Sequence, residues 1–335
     1  MFKRIKKLGL GLALVSVVAL FSAAPVSAKD FKVVVLYQIG GKFDRSFNEA
    51  AFRGAKIFRR VTRNRFAEFE PTDEAQFEPA LRRFAEEKFD LIVAIGIPYA
   101  QHLRKVAAEF PDQNFTSIDG LIDLPNVQSI LFKEHEGSFL VGMLAAMKAR
   151  KGTIGFIGGM DVPLIRRFAV GYAEGARHVN PRIKLIESTV GTDEMAWKNP
   201  DRGAELALDQ FERGAEVIFA AAGGSGLGVL HAAHDAGKLA IGVDSNQNRI
   251  HPGFVLTSMV KRVDLAVSET MTAAVNGTWK PGVTVLGLRE NGVDYTLDDD
   301  NRALITEEMK SRVEEAKRQI VAGEIVVTDA MSTAP

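Results

Sequence analysis

The stretch that decides the fold is KVVVLYQIGGKFDRSFNE, residues 32–49. Its apolar start, residues 33–37, predicts a buried strand, and its two glycines predict a turn. The following run, residues 46–61, has apolar side chains spaced by three and four, which is typical of an amphipathic helix. A strand, a glycine turn and a polar helix start form a ligand-binding edge in an open α/β sheet. We therefore expect ligand-binding residues between Lys42 and Glu49.

The same alternation of strands and helices continues to residue 150 and restarts at Lys151-Gly152. This rhythm predicts parallel sheets with right-handed crossovers in two α/β lobes. The first lobe is expected to contain residues 29–150 plus about 247–280, and the second residues 151–246 plus about 281–328. The expected strands are 33–37, 66–69, 90–95, 114–118, 128–132, 153–157, 184–189, 217–222, 240–243, 255–261 and 283–286. The expected helices are 46–61, 77–87, 99–109, 136–150, 162–179, 201–213, 228–236 and 263–276.

The first 28 residues are typical of a secretory signal peptide. Four of the first seven residues are basic, Leu8–Phe21 is apolar, and Val26-Ser27-Ala28 is a small-x-small cleavage sequence. We expect cleavage after Ala28 and a periplasmic protein. The chain contains no cysteine, which excludes disulfides and fits a bacterial periplasm. Because no cysteine lies near the cleavage site, we also expect a protein without a lipid anchor.

Charge and motifs exclude several functional classes. Without the four basic residues of the signal peptide, 38 basic residues remain against 42 acidic ones, a net charge of −4. This balance predicts no basic surface for nucleic acid or anionic lipid. The chain has no GxSxG nucleophile motif and no P-loop. His231 and His234 lie three residues apart, but no third metal ligand is evident, so we predict neither a metal nor a cofactor.

Polar side chains of the opening stretch are candidates for ligand contacts. Asp44 carries only hydrogen-bond acceptors and suits an exocyclic amine or a sugar hydroxyl. Asn48 carries a donor and an acceptor and suits the edge of a heterocycle. Ser46 and Glu49 have the spacing of a capping box, so either helix initiation or ligand contact explains them.

Aromatic side chains are candidates for stacking on a flat ligand. Phe43 precedes the first helix and is the favoured candidate. Phe47 lies on the apolar face of the helix and is expected in the core. Trp197, in a polar loop, belongs either to a small satellite cluster or to a lid over a flat ligand.

Strand ends in both halves supply further candidates. Asp119 and Asp244 each follow a strand, at the edge where open α/β sheets bind ligands, and either turn formation or a shared cleft explains them. A carboxylate can accept both hydroxyls of a ribose, which makes Asp244 the ribose candidate. Gly224 lies in a glycine-rich turn where backbone N–H groups can approach a neutral polar ligand closely. Lys261 ends another strand and could face the cleft.

Five segments in chain order resemble the basic membrane protein family of periplasmic substrate-binding proteins, which includes a purine-nucleoside receptor. They are GKFDRSFN (41–48), GGMDVPLIRRF (158–168), AAAGGSGLG (220–228), IGVDSNQ (241–247) and LTSMVKR (256–262). The resemblance covers nearly the whole chain after the signal peptide. It implies a type I periplasmic-binding fold, with two Rossmann-like lobes, three crossovers and a ligand cleft between the lobes.

The resemblance also implies a function. A monomeric receptor would close on a purine nucleoside or a related neutral molecule and deliver it to an ABC permease in the inner membrane. Asp44 and Asn48 would meet the base, Asp244 would bind the ribose, and an aromatic from each lobe would stack on the base. The stacking pair would be Phe43 with either Phe168 or Trp197. Two alternatives remain open: a nucleoside-acting hydrolase using Asp44 and Asp119, and a ligand sensor for a membrane receptor.

Overall fold

The computed structural model describes Met1 and residues 31–332. The predicted signal peptide, residues 1–28, therefore lies outside the described residues apart from Met1. Within residues 31–332 the strands are β1 (Val33–Leu36), β2 (Ala67–Phe69), β3 (Leu91–Ile95), β4 (Phe115–Ile118), β5 (Val127–Phe132), β6 (Thr153–Gly158), β7 (Lys184–Thr189), β8 (Val217–Ala221), β9 (Leu239–Asp244), β10 (Val255–Lys261), β11 (Gly282–Leu286) and β12 (Val293–Tyr295).

The α-helices of the same range fall between these strands and after the last of them. They are α1 (Phe47–Thr62), α2 (Phe77–Glu86), α3 (Tyr99–Glu109), α4 (Glu134–Lys148), α5 (Pro163–Val179), α6 (Pro200–Glu212), α7 (Gly226–Asp235), α8 (Val263–Val275) and α9 (Glu307–Ala322). None of these helices is long and apolar enough to cross a membrane. The expected elements agree with the observed ones to within about two residues at their ends.

The strands form two six-stranded sheets. The first has the order β11-β5-β4-β3-β1-β2 and the second the order β12-β10-β9-β8-β6-β7. Every neighbouring pair is parallel except β10 and β12, which are antiparallel. The central strands β1 and β3 are apolar and buried along their whole length, as expected for parallel strands that are covered on both faces. The expected fold class, two α/β lobes with parallel sheets, is confirmed.

Close helix packing organises the second lobe. Helix α4 lies against α5, and it also packs on β10 and β12. A Cβ atom on Gly142 would lie 2.2 Å from the carbonyl oxygen of Tyr172, and one on Gly175 would lie 1.9 Å from that of Phe139. Only glycine allows the two backbones to approach this closely. The glycine content of α4 and α5 thus has a packing cause.

The chain crosses between the lobes at three places that differ from the expected ones. Because α4 packs in the second lobe, the first crossing lies at Lys133 and not after residue 150. Strand β10 pairs with β9 in the second sheet, and β11 pairs with β5 in the first. The expected assignment of these two tail strands was therefore wrong. Apolar periodicity predicts that a strand exists, but it carries no information on which sheet edge the strand joins.

Candidate functional site

A cavity lies between the lobes, at the carboxyl ends of the strands of both sheets. It contains about 620 Å³ free of protein atoms, part of it open to solvent. Apolar and aromatic side chains provide most of the wall, and a few polar groups converge on it. The lining residues are Gln38, Ile39, Asp44, Phe47, Asn48, Ile97, Asp119, Val162, Leu164, Ile165, Phe168, Trp197, Ala221, Gly223, Val243, Asp244 and Lys261.

Asp44 lies three residues before helix α1 and caps its start. Its carboxylate accepts hydrogen bonds from the backbone N–H groups of Ser46 (2.8 Å), Asn48 (2.9 Å) and Glu49 (3.0 Å). These are N–H groups at a helix start, which have no partner within the helix. Asp44 therefore caps the helix, whereas the Ser46 side chain makes no capping hydrogen bond. Glu49 accepts from the N–H of Arg45 at 3.2 Å, so the expected capping box is replaced by a cap from Asp44.

Replacement of Asp44 by alanine should destabilise the protein. We expect Asp44→Ala to lower the free energy of unfolding by about 0.5–2 kcal/mol, since a lost helix cap costs this much. Urea titration followed by circular dichroism measures the change. Asp44→Asn is the matched control: it retains a capping oxygen and should lose less than half as much. Equal stability of Asp44→Ala and the wild type would show that the cap contributes nothing.

Asn48 holds the turn that follows β1. Its amide nitrogen donates to the carbonyl oxygens of Gln38 (3.0 Å) and Gly41 (3.2 Å). Its amide oxygen accepts from the N–H of Gln38 at 3.1 Å. The side chain lines the cavity but is already bound to the backbone on both of its polar atoms. Direct contact with a heterocycle edge, as expected from the sequence, does not fit these bonds; Asn48 instead positions Gln38 and Ile39 in the cavity wall.

Ser46 and Asp244 join the two lobes. The hydroxyl of Ser46, which is fully buried, donates to Asp244 Oδ2 at 2.5 Å. Ser245 Oγ donates to the carbonyl oxygen of Ser46 at 2.7 Å, and Gln247 Nε2 donates to that of Arg45 at 3.0 Å. The lobes are therefore closed on the cavity. Ser46 does not line the cavity; it orients Asp244, which does.

The two aspartates after strands occupy equivalent positions. Asp119 and Asp244 have φ angles of 71° and 62°, in the left-handed region that aspartate tolerates better than most residues. Each turns the chain at a strand end and lines the cavity. Strand ends from the two halves of the sequence thus place two carboxylates in one cleft.

Lys261 is a buried cation held by carboxylates. Only 2% of this side chain is exposed, and its ammonium lies 2.6 Å from Asp119 Oδ2 and 2.9 Å from Glu134 Oε1. The ammonium also lies 5.0 Å from the ring centres of Phe47 and Phe132. The other carboxylate oxygen of Asp119 is buried and has no hydrogen-bond partner within residues 31–332. That oxygen is an acceptor available to a ligand.

Burial shifts the ionisation of this cluster. Burial raises the pKa of Asp244 to about 6, against the opposing effects of Lys261 and the Ser46 hydroxyl. Burial likewise raises the pKa of Asp119, although Lys261 opposes it. Burial alone would lower the pKa of Lys261, but the neighbouring carboxylates of Asp119, Glu134 and Asp244 outweigh it and raise that pKa. The ammonium therefore stays charged.

Aromatic rings from both lobes line the cavity. Phe47 comes from the first lobe, and Phe168 and Trp197 come from the second. Phe43, the favoured candidate from sequence, lies outside the cavity: it is 66% exposed and packs edge-on against Phe52 with ring centres 5.5 Å apart. Its expected stacking role does not fit this position. Phe47, which was expected in the core, lines the cavity instead.

Trp197 packs closely against glycines, which leave room for its ring and backbone. It ends a 3₁₀ turn, Glu194–Trp197, and a Cβ atom on Gly159 would lie 2.0 Å from its ring. At Gly224 a Cβ atom would lie 3.0 Å from the Trp197 carbonyl oxygen and 3.8 Å from Asp44 Cβ across the cleft. Gly224 therefore permits close approach of the lobes, while its neighbour Gly223 lines the cavity. Of the two alternatives for Trp197, its contact with the cavity favours the lid.

Several residues of the site were not expected from sequence. Gln38, Ile39 and Ile97 follow strands β1 and β3, so their position at carboxyl strand ends was a usable signal. Glu134, which is fully buried, carried no such signal. Arg167 donates to the carbonyl oxygen of Phe132 (2.6 Å) and to Glu134 Oε2 (3.0 Å). It thereby ties helix α5 to the first crossing between the lobes.

The C-terminal segment is bound to the same arginine. Arg167 Nε and Nη2 donate to the two carboxylate oxygens of Asp329 at 2.7 and 2.8 Å. A bidentate pair of this kind is geometrically specific. In the described range 31–332, no group of three His, Cys, Asp or Glu side chains is arranged to hold a metal ion.

Comparisons with known proteins agree with this geometry. A family model, Bmp, described as ABC transporter substrate-binding protein PnrA-like, matches residues 31–330. An uncharacterized lipoprotein of Pyrococcus abyssi is 34% identical over 315 residues, which are 87% of this chain and 77% of that protein. The ABC transporter nucleoside-binding protein BmpA of Lactococcus lactis is 29% identical over 322 residues, 89% of each chain.

A solved structure shares the fold. The crystal structure of a solute-binding protein of an ABC transporter system from Aeropyrum pernix K1 has a TM-score of 0.83 and 27% sequence identity, covering 89% of this chain and 94% of that one. The resemblance drawn from the five sequence segments is confirmed. The chain belongs to the Bmp family of PnrA-like ABC transporter substrate-binding proteins.

Proposed function

We propose that this protein is an exported receptor that closes on a purine nucleoside and delivers it to an ABC permease. The main support for this proposal is that aromatic side chains from both lobes and buried carboxylates line the same cavity. The Lys261 ammonium lies 5.0 Å from the ring centre of Phe47 and 5.9 Å from that of Phe168, so both rings border one space. A flat heterocycle can stack between such rings.

The charge of the cavity supports a neutral ligand. Three carboxylates line it, those of Asp44, Asp119 and Asp244, against the single ammonium of Lys261. That ammonium is already paired with two carboxylates. A phosphate or carboxylate ligand would need a free arginine or lysine in this place. Hydroxyl and amine donors of a nucleoside instead match the free acceptor of Asp119 and the cavity-lining carboxylate of Asp244.

The name of one relative points the same way. The Lactococcus lactis protein is called nucleoside-binding, and it is similar to this chain over most of its length. Other relatives are named lipoproteins, whereas this sequence contains no cysteine. We propose an exported receptor without a lipid anchor, acting as a monomer in the periplasm.

A hydrolase is the competing proposal, and the geometry disfavours it. A general base needs a carboxylate free to accept a proton from water. Asp44 is occupied by three backbone N–H groups, so the pair of Asp44 and Asp119 that a hydrolase would use lacks one of its two free carboxylates. The two roles can be separated by incubating the purified protein with inosine, denaturing it and analysing the released molecules by mass spectrometry. A receptor returns intact nucleoside, and the appearance of free base in proportion to time would overturn the proposal.

Acidification should weaken nucleoside binding. Because the pKa of Asp244 is about 6, about one protein molecule in ten keeps this carboxylate charged at pH 5. The charged form is the better acceptor for ribose hydroxyls, so we expect Kd to rise about tenfold between pH 7.5 and pH 5. Calorimetric titration at both pH values measures it. In Asp244→Asn, Kd should keep only the pH dependence contributed by Asp119. A wild-type Kd that is equal at both pH values would contradict the role of Asp244 in ribose binding.

The same pKa has the opposite effect on the stability of the ligand-free protein. A carboxyl whose folded pKa is raised from 3.8 to about 6 binds more protons in the folded state across that interval. Its contribution to stability is therefore present below pH 3.8 and is lost as pH rises through 6. Stability and affinity should thus change in opposite directions between pH 4 and 6, once other titrating groups are subtracted with Asp244→Asn.

A further inference from the structure

Helix α1 and the loop after it carry a cluster of unpaired cations. The cluster consists of Arg53, Lys56, Arg59, Arg60, Arg63 and Arg65, which border one surface groove with Ile57 and Asp264. Within residues 31–332, none of these six cations forms an ion pair with a carboxylate. The one acid of the groove, Asp264, is bound to Arg262 at 3.0 Å. The overall charge balance conceals this cluster.

The requirements of the helix do not explain the cluster. Arg59 and Arg60 lie in the last turn of α1, where cations stabilise the helix dipole. Arg53 and Lys56 lie in the middle of the helix, and Arg63 lies beyond its end. Cations at spacings of three and four repel one another and destabilise a helix. The buried face of α1 is formed by alanines, Gly54 and Phe58, so the cations occupy its outer side.

The basic surface continues across the cleft into the second lobe. Arg53 Nη2 donates to Ser245 Oγ of the second lobe at 3.0 Å. Beyond this contact a second groove is bordered by residues of both lobes: Arg45, Glu49, Arg53, Leu227, His231, Ser245, Asn246, Arg249 and Ile250. The two grooves share Arg53 and form one basic surface, which we name the basic groove. Since the second groove is bordered by both lobes, the basic groove is complete only when the lobes are closed.

We propose that the basic groove docks an acidic periplasmic segment of the permease and thereby recognises the closed receptor. This inference rests on the proposed function, because it names the surface by which that receptor would meet its partner. Arginines bind carboxylates through two parallel hydrogen bonds and are enriched at protein interfaces. Val61, which is 65% exposed at the end of α1, offers an apolar contact beside them.

The shape of the surface favours a protein partner over a lipid bilayer. A bilayer presents a broad anionic plane and would bind outward-pointing cations in either state of the lobes. The basic groove is concave and joins the lobes through Arg53 and Ser245, so it suits a protruding segment and depends on closure. Electrostatic attraction of this kind mainly accelerates association and weakens with salt.

The test compares charge-reversed variants in binding to the permease. The first variant is Lys56→Glu/Arg60→Glu/Arg63→Glu. The control, Arg182→Glu/Lys184→Glu/Arg312→Glu, makes the same charge change at exposed positions outside the groove. To fix closure independently of any ligand, both are made in an Asp44→Cys/Gly224→Cys background. The Cβ separation of 3.8 Å at this pair matches that of a disulfide, and the chain has no other cysteine.

Binding is measured by surface plasmon resonance. The first probe is a nanodisc that contains the purified permease of the same transporter. The second is a lipid-only nanodisc of phosphatidylethanolamine and 30% phosphatidylglycerol. We expect the groove variant to associate with the permease about tenfold more slowly or worse than the control, and the oxidised background to bind better than the reduced one. Equal association of groove variant and control would overturn the proposal. Equal binding to lipid-only nanodiscs would overturn it in favour of a membrane surface.

Nucleoside affinity, measured by calorimetry on the same charge variants without the cysteines, separates this proposal from the proposed function. We expect the groove variant to retain the wild-type affinity, because none of its three positions lines the cavity. If no nucleoside binds any form, the proposed ligand is wrong while the oxidised background still tests the basic groove. If nucleoside binds normally and the permease does not distinguish the groove variant from the control, the docking surface is wrong and the ligand stands.

Discussion

Lys261→Met is expected to lower the free energy of unfolding by about 3–5 kcal/mol, because it leaves the buried carboxylate of Asp119 without a cation and leaves Glu134 with Arg167 alone. Asp119 and Glu134 are 5% and 0% exposed, and both lie within 3 Å of the ammonium. Methionine has nearly the same length and preserves the contacts with Phe47 and Phe132. The measured loss therefore reports on charge and not on volume. Urea unfolding at pH 7.5 provides the measurement.

Two controls give this experiment a clear outcome. Lys184→Met, at an exposed position on β7, should change stability by no more than about 0.5 kcal/mol. Lys261→Met combined with Asp119→Asn and Glu134→Gln should recover at least half of the loss, since it also removes the two negative charges that Lys261 neutralises. A Lys261→Met protein as stable as Lys184→Met would show that the cluster is not electrostatically coupled. A combined variant no more stable than Lys261→Met would show that lost packing dominates.

Asp244→Asn is expected to weaken binding of a ribonucleoside about 10- to 150-fold. A lost hydrogen bond to a charged acceptor costs about 1.5–3 kcal/mol, and every 1.4 kcal/mol corresponds to about tenfold in Kd. The variant keeps the shape of the side chain and can still accept from Ser46. Calorimetric titration with inosine measures the effect, and Asp161→Asn, at an exposed position outside the cavity, is the matched control.

The ribose role can be isolated with a modified ligand. A nucleoside without the 2′- and 3′-hydroxyls should bind the wild type weakly, and Asp244→Asn should weaken it little further. This loss of additivity is the signature of a direct contact. If Asp244→Asn bound inosine within about threefold of the wild type, Asp244 would not bind the ribose. If it weakened both ligands equally, Asp244 would act only by closing the lobes through Ser46.

The sequence predicted most of the elements because local patterns carry that information. Apolar runs such as Leu91–Ile95 mark buried strands, and glycine turns mark the carboxyl edge where Asp119 and Asp244 lie. The assignment of the tail strands was wrong because strand pairing depends on distant partners. Glu134 and Arg167 were missed for the same reason, since the first lies at a crossing and the second reaches it from another helix.

The exchange of Phe43 and Phe47 has a local cause. Apolar spacing placed Phe47 with Ala50, Ala51 and Phe58, on the core side of α1. Phe47 is the first residue of the helix, and helical side chains point back toward the helix start. Its ring therefore lines the cavity while it also packs against the border of the main core. Periodicity alone does not distinguish these two positions at a helix terminus.

Residues of the stretch 42–49 likewise have roles that differ from the expected ones. Asp44 and Asn48 were expected to read a base, yet both bind backbone groups that shape the cavity wall. Acceptor and donor capacity can be read from a sequence, but the partners that use it cannot. The basic groove was hidden because a net charge sums over the whole chain, whereas the cations of α1 are clustered on one face.

Whether the cleft binds a purine nucleoside is measured by calorimetric titration. Adenosine, guanosine and inosine are compared with free ribose and riboflavin under the same conditions at pH 7.5. We predict saturable binding of at least one purine nucleoside at one molecule per chain, at least tenfold tighter than ribose, because both the aromatic walls and the carboxylates are used only by a base joined to a sugar. Binding of ribose as tight as that of every nucleoside, or no nucleoside binding at all, would show that the cleft is not a purine-nucleoside site.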